Sequence, residues 1–264
     1  MIDKQIFSFS LRRSGHTAIL AWIAGMHEPT FMFGDVHCRA KKIKAPAILE
    51  FRHGTKVNIK NYSPKLKFDG LRLASVLANS DYKMVICSFE DMKYNDFSAN
   101  KINTIVHKFK IVPNDMVFVI VVLRDPFNLF ASRLSYEGLD TTNNRATKYY
   151  KMQIDYCIDG YDTIMFNLLC INYNKWIASK LYRMRIANRL GLQFSDRRLN
   201  EVISENRFDD DIDGIRTNHT NRWKHFVNTT KFHNLVDNEL IESAEKMFDL
   251  EKIKHEMGKV RTNM

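Results

Sequence analysis

Short apolar runs alternate with amphipathic segments through residues 5–190. Runs of strand length lie at residues 6–10, 30–33, 83–89, 117–123 and 165–172. Apolar positions with helical spacing lie at residues 15–25, 71–78, 99–109, 177–190 and 238–259. Alternating strands and helices predict a parallel sheet with helices on both faces. We therefore predict an α/β fold: a three-layer sandwich with a central, mostly parallel five-stranded sheet.

Two stretches interrupt this alternation. Residues 38–65 are basic and have no clear period, which indicates a surface excursion or a hairpin. Residues 137–162 are polar and rich in Tyr, Asn and Thr; their tyrosines suit sugar stacking at an acceptor site, and ordinary loop surface is the alternative. No repeat and no linker rich in Pro, Gly or Ser divides the chain. The 264 residues therefore predict one domain over residues 1–264.

Composition and charge narrow the class of partner. Hydrophobic residues make up 45% of the chain, enough for a sizeable core. The formal net charge is +10. Such a balance favours nucleotides, nucleic acid, acidic glycans or anionic membrane as partners, although it is equally compatible with a merely basic solvated surface.

The four cysteines, Cys38, Cys87, Cys157 and Cys170, form no CxxC pair. We therefore predict neither a zinc site nor a disulfide, and a reducing compartment. The longest apolar run is too short to cross a bilayer, and the N-terminus lacks the apolar region of a signal peptide. A soluble, cytoplasmic protein is the resulting expectation.

The loop after the first strand carries the first candidate site. Residues 10–18 read Ser-Leu-Arg-Arg-Ser-Gly-His-Thr-Ala and open a predicted helix. A helix N-terminus presents unpaired N–H groups and a partial positive charge, which attract anions. The Gly-Lys of a P-loop kinase is missing, so no Mg²⁺-linked signature is present. The loop either holds a phosphate or is an ordinary basic strand-to-helix turn.

The second candidate site follows the strand at residues 117–123. Arg124 lies at the carboxyl end of that strand, where open α/β sheets bind ligands. Asp125 can cap the next helix with Pro126 at its first position, and Ser132 lies about two turns into it. An Arg fork and a Ser hydroxyl suit a second phosphate. The alternative is an ion pair between Arg124 and Asp125.

These two segments resemble the motifs of sulfotransferases that use 3′-phosphoadenosine 5′-phosphosulfate (PAPS). That family has a strand, a loop of the form [KR]-S-G-T-x and a helix; residues 13–17 here read Arg-Ser-Gly-His-Thr, with His16 where Thr is usual. Its second motif is a strand followed by R-[DN]-P, with a Ser eight residues after the Arg. Residues 124–126 read Arg-Asp-Pro, and Ser132 has the matching type and spacing.

Two further stretches agree with this resemblance. The family has a strand that ends in Tyr-Glu-Asp and a helix that ends in Leu-Gly-Leu. Tyr173 and residues 190–192 match, but Asn-Lys replaces Glu-Asp, so only the Tyr is carried over. The family's R-K-G-x-x-G-x-W-K corresponds to residues 216–224, which keep Arg216, Trp223 and Lys224 and lose both glycines. The resemblance covers residues 5–18, 83–135, 166–192 and 214–226.

The resemblance implies a fold like that of P-loop NTPases and roles for these residues. The loop would cradle the 5′-phosphosulfate, with Arg13 as the catalytic cation. Arg124, Ser132 and Arg216 would bind the 3′-phosphate, and Tyr173 would lie by the adenine. The implied cofactor-binding set is Arg12, Arg13, Ser14, Gly15, His16, Thr17, Ala18, Arg124, Ser132, Tyr173, Arg216 and Trp223. PAPS would be the co-substrate and PAP the product, and no metal is expected.

A general base must take the proton of the acceptor. In the family it is a His or a Glu whose position differs among branches. Glu90, just after the strand at residues 83–89, is the first candidate, and His37, near Asp35, is the second. A carboxylate that stabilises a helix N-terminus is the alternative for Glu90.

The acceptor is expected to be a hydroxyl or amine of a carbohydrate, glycolipid or small molecule, and no nucleic acid is expected as a partner. Three other interpretations stay open. A nucleotide or nucleoside kinase shares the strand–loop–helix logic but predicts Gly-Lys-Ser/Thr and an acidic Mg²⁺ ligand. A non-catalytic nucleic-acid binder would explain the net charge of +10. A degenerate member of the fold without activity would explain the lost glycines.

Overall fold

The computed structural model describes residues 2–34, 37–39, 42–44, 47–52, 55–58, 77, 80–91, 98–135, 145–160, 165–197, 199–200 and 221–262. In chain order the strands are β1 (Lys4–Ser10), β2 (Thr30–Gly34), β3 (His37–Arg39), β4 (Lys42–Lys44), β5 (Ala47–Arg52), β6 (Thr55–Asn58), β7 (Met84–Glu90), β8 (Val117–Leu123) and β9 (Asn167–Asn172). The helices are α1 (His16–Ala24), α2 (Ala99–Phe109), α3 (Pro126–Leu134), α4 (Arg145–Asp159), α5 (Tyr173–Ala178), α6 (Lys180–Arg189), α7 (Thr230–Leu235), α8 (Asn238–Glu245) and α9 (Glu251–Thr262). Short 3₁₀ turns lie at Asn114–Met116 and Arg222–His225.

A seven-stranded sheet has the order β6-β5-β2-β7-β1-β8-β9. The five strands β2, β7, β1, β8 and β9 are parallel, as predicted. The strands β5 and β6 extend the β2 edge of this central five-stranded sheet in antiparallel fashion. Antiparallel pairing is made by main-chain hydrogen bonds, and the interspersed basic residues of this segment obscure its apolar pattern.

The position of β1 decides where a ligand can bind. β1 lies between β7 and β8, so the chain leaves it towards β2 and later returns on the other side as β8. This reversal makes a switch point, and open α/β sheets bind ligands in the crevice at the carboxyl ends of such strands. The loops that follow β1, β7, β8 and β9 all emerge at this edge.

Strand alternation divides the core into two apolar clusters, one on each face of the sheet. Phe7, Phe9 and Phe89 belong to the face covered by α2, α3, α4 and the C-terminal helices. Ile6, Ile86 and the even-numbered residues of β8 belong to the face covered by α1, α5 and α6. Every residue of β8 is buried, as its unbroken apolar run predicted. This arrangement confirms the three-layer architecture.

Helix α4 corrects the interpretation of residues 137–162 as loop surface with tyrosines for sugar stacking, as far as residues 145–159 are concerned. Tyr149 and Tyr150 are 1% and 0% exposed, and the Tyr150 hydroxyl donates a hydrogen bond to the carbonyl of Arg124 at 2.7 Å. The buried stripe of this helix consists of Ala146, Thr147, three tyrosines, Gln153, Ile154 and Cys157. The sequence-based prediction failed because most of these residues are polar or only partly apolar in type.

A second correction concerns the cysteines. Cys157 of α4 and Cys170 of β9 form a disulfide, with their Cα atoms 5.7 Å apart. The prediction of no disulfide was therefore wrong. The pair has no motif spacing, and its approach depends on how α4 packs on the sheet. Cys87 is buried in β7, as its apolar surroundings predicted.

Three helix boundaries refine the predictions. The helix predicted at residues 177–190 is two helices, because the Ser179 side chain accepts a hydrogen bond from the Tyr182 amide and starts α6. Gly191, with φ +62°, follows the end of α6 as predicted. The segment at residues 238–259 likewise divides into α8 and α9. The helix predicted at residues 71–78 lies outside the described residues except for Leu77. No described helix has the length and apolar character that a membrane span requires.

Candidate active site at the switch point of the sheet

The loop between β1 and α1 has an unusual backbone. Arg13 has φ +73° and Gly15 has φ +85°, so both lie in the left-handed region. Gly15 also touches the Tyr173 ring so closely that an added Cβ would lie 2.1 Å from its Cε2 atom. Only glycine fits there. A left-handed arginine costs about 1–3 kcal/mol and persists only where its surroundings fix it.

A buried arginine on α3 braces this loop. Arg133 donates from Nη1 to the Arg12 carbonyl at 3.1 Å and to Asp91 Oδ1 at 2.9 Å. The same Asp91 carboxylate accepts a hydrogen bond from the Arg12 amide at 3.0 Å, and the Asp91 amide donates to the Ser10 carbonyl at 3.2 Å. Main chain and side chain thus tie the loop to the ends of β7 and α3.

Glu90, the first candidate base, is fixed by two loop residues. It accepts a hydrogen bond from Arg12 Nε at 3.0 Å and contacts His16 Nε2 at 2.7 Å. Burial raises the pKa of Glu90, but the charges and hydrogen bonds of His16 and Arg12 outweigh burial and lower the pKa to about 2. The carboxylate therefore stays ionised and is a weak proton acceptor near neutral pH.

His16 is part of the same network. Its ring is 3% exposed, with Nδ1 3.4 Å from Ser14 Oγ and Nε2 3.3 Å from Thr17 Oγ1. The predicted loop residues Ser14, His16 and Thr17 therefore contact one another as well as Glu90. The histidine that departs from the usual threonine is accommodated by a carboxylate on the neighbouring strand.

The two predicted motifs meet at Ser132. Arg13 donates from Nε to Ser132 Oγ at 3.0 Å, and Arg124 donates from Nη1 to the Arg13 carbonyl at 3.3 Å. These contacts join positions 119 and 111 residues apart in the chain. The loop and the Arg-Asp-Pro segment therefore form one continuous basic site.

Asp125 has the capping role that its position predicted. Its Oδ1 accepts hydrogen bonds from the Asn128 amide at 2.9 Å and side chain at 3.1 Å, and its Oδ2 accepts one from Asn174 Nδ2 at 2.8 Å. The side chain caps α3, with Pro126 in its first turn. Asn174, which stands where the family has an acidic residue, thus ties the end of β9 to the start of α3.

Tyr173 closes the site on the β9 side. Its ring is 7% exposed, stacks on Trp176 with centroids 5.9 Å apart and lies 5.2 Å from the Arg124 guanidinium carbon. Burial raises the pKa of the Tyr173 hydroxyl, and the positive charges of Arg124 and Arg222 partly oppose that shift. The predicted residue thus lies between the glycine loop and the arginines.

Arg222 belongs to this site and was not predicted from the sequence. It donates from Nη1 to Ser132 Oγ at 2.6 Å and is 5% exposed. Burial, followed by the nearby charges of Arg124 and Arg13, lowers the pKa of Arg222 to about 10. The available signal was its place next to Trp223 in the C-terminal motif, where the family pattern has no fixed residue.

Other predicted residues lie elsewhere. Trp223 is 1% exposed and packs in the apolar cluster beside α3, and Ala18 is buried within α1. His37 pairs with Lys44 in the β3–β4 hairpin, and its side chain lies outside the described part of the structure. Arg216 and Asp35 fall outside the described residues.

The topology and this basic crevice define a protein of the sulfotransferase fold. One similar structure is the sulfotransferase domain of the Synechococcus PCC 7002 olefin synthase: TM-score 0.59, 14% identity, 94% of this chain and 96% of that chain covered. Mouse sulfotransferase SULT7A1 complexed with PAP aligns more weakly: TM-score 0.44, 11% identity, 96% of this chain and 86% of that chain covered. No protein-family profile matches the sequence, and no curated protein matches it.

Proposed function

We propose that this protein is a PAPS-dependent sulfotransferase that moves a sulfuryl group to a hydroxyl or amine of an acceptor. The observation that carries the proposal is the contact between the two predicted motifs: Arg13 donates to Ser132 at 3.0 Å, and Arg124 donates to the Arg13 carbonyl at 3.3 Å. Two basic segments that are distant in sequence meet at the switch point of a sulfotransferase fold. A nucleotide with two phosphate-containing groups suits such a site.

The proposed reaction is an in-line displacement at sulfur. The acceptor oxygen or nitrogen forms a bond to sulfur as the bond from sulfur to the bridging oxygen of the 5′-phosphate breaks. PAP leaves with the electron pair of that bond, and the acceptor loses a proton to a base. Charge develops on the bridging oxygen, and fixed cations and N–H groups stabilise it.

The residues fit this chemistry in the following way. Arg13 and the N–H groups at the start of α1 would stabilise the leaving phosphate. Arg124 and Ser132 would bind the 3′-phosphate, because a guanidinium and a hydroxyl donate to phosphate oxygens. Tyr173 would provide an aromatic surface beside the adenine. Ser14, Gly15, His16 and Thr17 would shape the loop around the 5′ group.

The base remains a prediction. Glu90 lies between Arg12 and His16. Its pKa of about 2 makes it a weak proton acceptor near neutral pH. We therefore assign Glu90 to organising the loop and favour His37 as the base. The acceptor is proposed to be a carbohydrate, glycolipid or other small molecule.

Thermal denaturation with nucleotides tests the proposal. PAP should raise the melting temperature by roughly 5–10 °C at 100 times its Kd, because a ligand bound only by the native state stabilises it by about 2.7 kcal/mol. AMP and ATP should act weakly at the same concentration. Arg124→Ala should abolish the specific shift, whereas Arg185→Ala, at an exposed position of α6, should retain it.

The outcomes separate the candidate functions. A shift with ATP equal to that with PAP would favour a kinase. No shift with any nucleotide would contradict the proposal and favour a degenerate fold or a polyanion binder. A PAP-specific shift justifies assays with labelled PAPS and a panel of acceptors, in which Arg13→Ala should lower kcat more than it changes KM for the acceptor.

A further inference from the structure

We propose that α5 and α6 form a surface that binds the interface of a bilayer with anionic lipid headgroups. This α5–α6 surface consists of Lys175, Lys180, Leu181, Met184 and Arg185, all of which are exposed. It lies outside the arginine-lined crevice at the switch point, so the proposal goes beyond the proposed function and is tested without the sulfotransferase reaction.

Two large apolar side chains lie on the outer side of α6. Leu181 is 57% exposed and Met184 is 43% exposed. Residues three or four apart are neighbours on a helix surface, so Leu181, Met184 and Arg185 form one patch. A single exposed apolar residue is ordinary. Adjacent apolar and cationic side chains on one helix are instead typical of helices that lie in a membrane interface.

A buried arginine on the inner side of α6 fixes the orientation of the helix. The Arg183 guanidinium donates two hydrogen bonds to the Asp196 carboxylate, each at 2.9 Å. Its Nη1 also donates to the carbonyls of Trp176 and Ile177, at 2.7 and 3.1 Å. Rotating α6 to bury Leu181 would break these hydrogen bonds. The apolar patch therefore faces solvent because of how the helix is held.

The charge around this surface has one sign. Residues 173–195 contain five Lys or Arg and no Asp or Glu. Residues 237–256, which include α8 and the start of α9, contain seven Asp or Glu and three Lys. These two segments pack on opposite faces of the sheet. An anionic surface therefore attracts the side of α5 and α6 and repels the side of α8 and α9, which orients the molecule.

The apolar side chains distinguish a bilayer from other anionic partners. At a membrane interface, Leu181 and Met184 can enter between acyl chains while the long stems of Lys and Arg carry their charges to the headgroups. Single-stranded nucleic acid is bound by aromatic side chains that stack on bases, and the five residues of the α5–α6 surface include none. Interfaces with folded proteins are likewise enriched in Tyr and Trp at their centres. An anionic bilayer is therefore the occupant that this surface fits best.

The experiment measures sedimentation of the full chain with lipid vesicles. The vesicles consist of phosphatidylcholine alone or of equal parts of phosphatidylcholine and phosphatidylserine. Wild type should bind the mixed vesicles about 25-fold or more tightly than the neutral ones, because each basic residue near an anionic bilayer contributes about fivefold. This preference should decrease as the ionic strength rises from about 0.1 M to about 1 M, since the Debye length falls from about 10 Å to about 3 Å.

Two variants and two matched controls separate the apolar and the charged contributions. Leu181→Ser should weaken binding to the mixed vesicles by about fivefold or more, because it removes apolar surface that enters the bilayer. Arg185→Gln should weaken it by about fivefold. The controls are Ile158→Ser, at a side chain of α4 that is 40% exposed, and Lys252→Gln, at an exposed position of α9. Each makes a similar change outside the α5–α6 surface and should alter binding by less than about twofold.

Two results would overturn the proposal. The first is that wild type does not bind the mixed vesicles. The second is that Leu181→Ser binds like wild type while Arg185→Gln and Lys252→Gln weaken binding equally. That pattern would show attraction of the net positive charge to polyanions in general, nucleic acid included. All four substitutions are at exposed side chains, and unchanged melting temperatures would confirm that the variants are folded.

Discussion

Glu90 is a charged residue at the edge of the site, and its carboxylate is held by two neighbouring side chains. Its carboxylate lies between Arg12, at 3.0 Å, and His16, at 2.7 Å, and its side chain is 13% exposed. Because these partners hold its pKa near 2, the residue contributes to the fold of the loop in its ionised form. Its chemistry is that of a fixed anion.

Replacing Glu90 with Gln should destabilise the protein by about 1–3 kcal/mol at pH 7, because Arg12 and His16 lose the carboxylate that both of them contact. The folded pKa of about 2 lies below the ordinary 4.5, so this stabilisation is complete above about pH 4.5 and is lost as the pH falls towards 2. Urea denaturation of both proteins between pH 7 and pH 3 measures this effect. The difference in their free energies of unfolding should become smaller below pH 4.5. Equal stability at pH 7 would contradict the proposed organising role.

Arg133 and Asp91 show how α3 and β7 position the loop between β1 and α1. The two side chains are 7% and 27% exposed, and their closest atoms are 2.9 Å apart. Both also bind the main chain of Arg12, which immediately precedes the left-handed Arg13. The pair therefore connects the packing of one helix to the left-handed conformation of Arg13.

A double-mutant cycle with Arg133→Gln and Asp91→Asn should give a coupling free energy of about 1–3 kcal/mol, since the residues share one buried network. The exposed pair Lys246 and Asp155, 3.7 Å apart and with side chains 55% and 58% exposed, is the control. Its cycle should give less than about 1 kcal/mol. Urea denaturation of each single and double variant measures both couplings. Similar values for the two pairs would show that Arg133 does not brace the loop.

The C-terminal helices α7 and α8 share the hydrophobic core of the central sheet. Phe232 of α7 and Leu240 of α8 are each 0% exposed and belong to the same apolar cluster as β1, β7 and β8. Helix α8 packs against α4 and α3. A core shared in this way predicts that residues 1–264 unfold as one domain.

Leu240→Ala should lower the free energy of unfolding by about 2–5 kcal/mol, the usual cost of a cavity at a fully buried leucine. Far-UV circular dichroism and tryptophan fluorescence should report the same shifted transition, since Trp22 and Trp223 lie in different clusters. Leu181→Ala, at a side chain that is 57% exposed, should change the free energy of unfolding by less than about 0.5 kcal/mol. Separate transitions for the two probes would contradict a single domain.

Local patterns were sufficient for the parallel part of the fold and for the two motifs of the site. The apolar run of β8, the Asp125 cap and the position of Gly191 follow from period, capping and turn preferences within a few residues. Arg13, Arg124 and Ser132 were predicted because strand ends and helix starts are visible in sequence, and parallel strands bring their carboxyl ends together.

Packing decided the rest, because it depends on contacts between residues distant in the chain. Tyr149 and Tyr150 became core residues when α4 packed on the sheet, and Cys157 met Cys170 for the same reason. Glu90 contacts His16, which lies 74 residues away in the chain, and Arg222 donates a hydrogen bond to Ser132, which lies 90 residues away. No local pattern encodes these approaches. They follow from the topology of the sheet and from which face of each helix its neighbours cover.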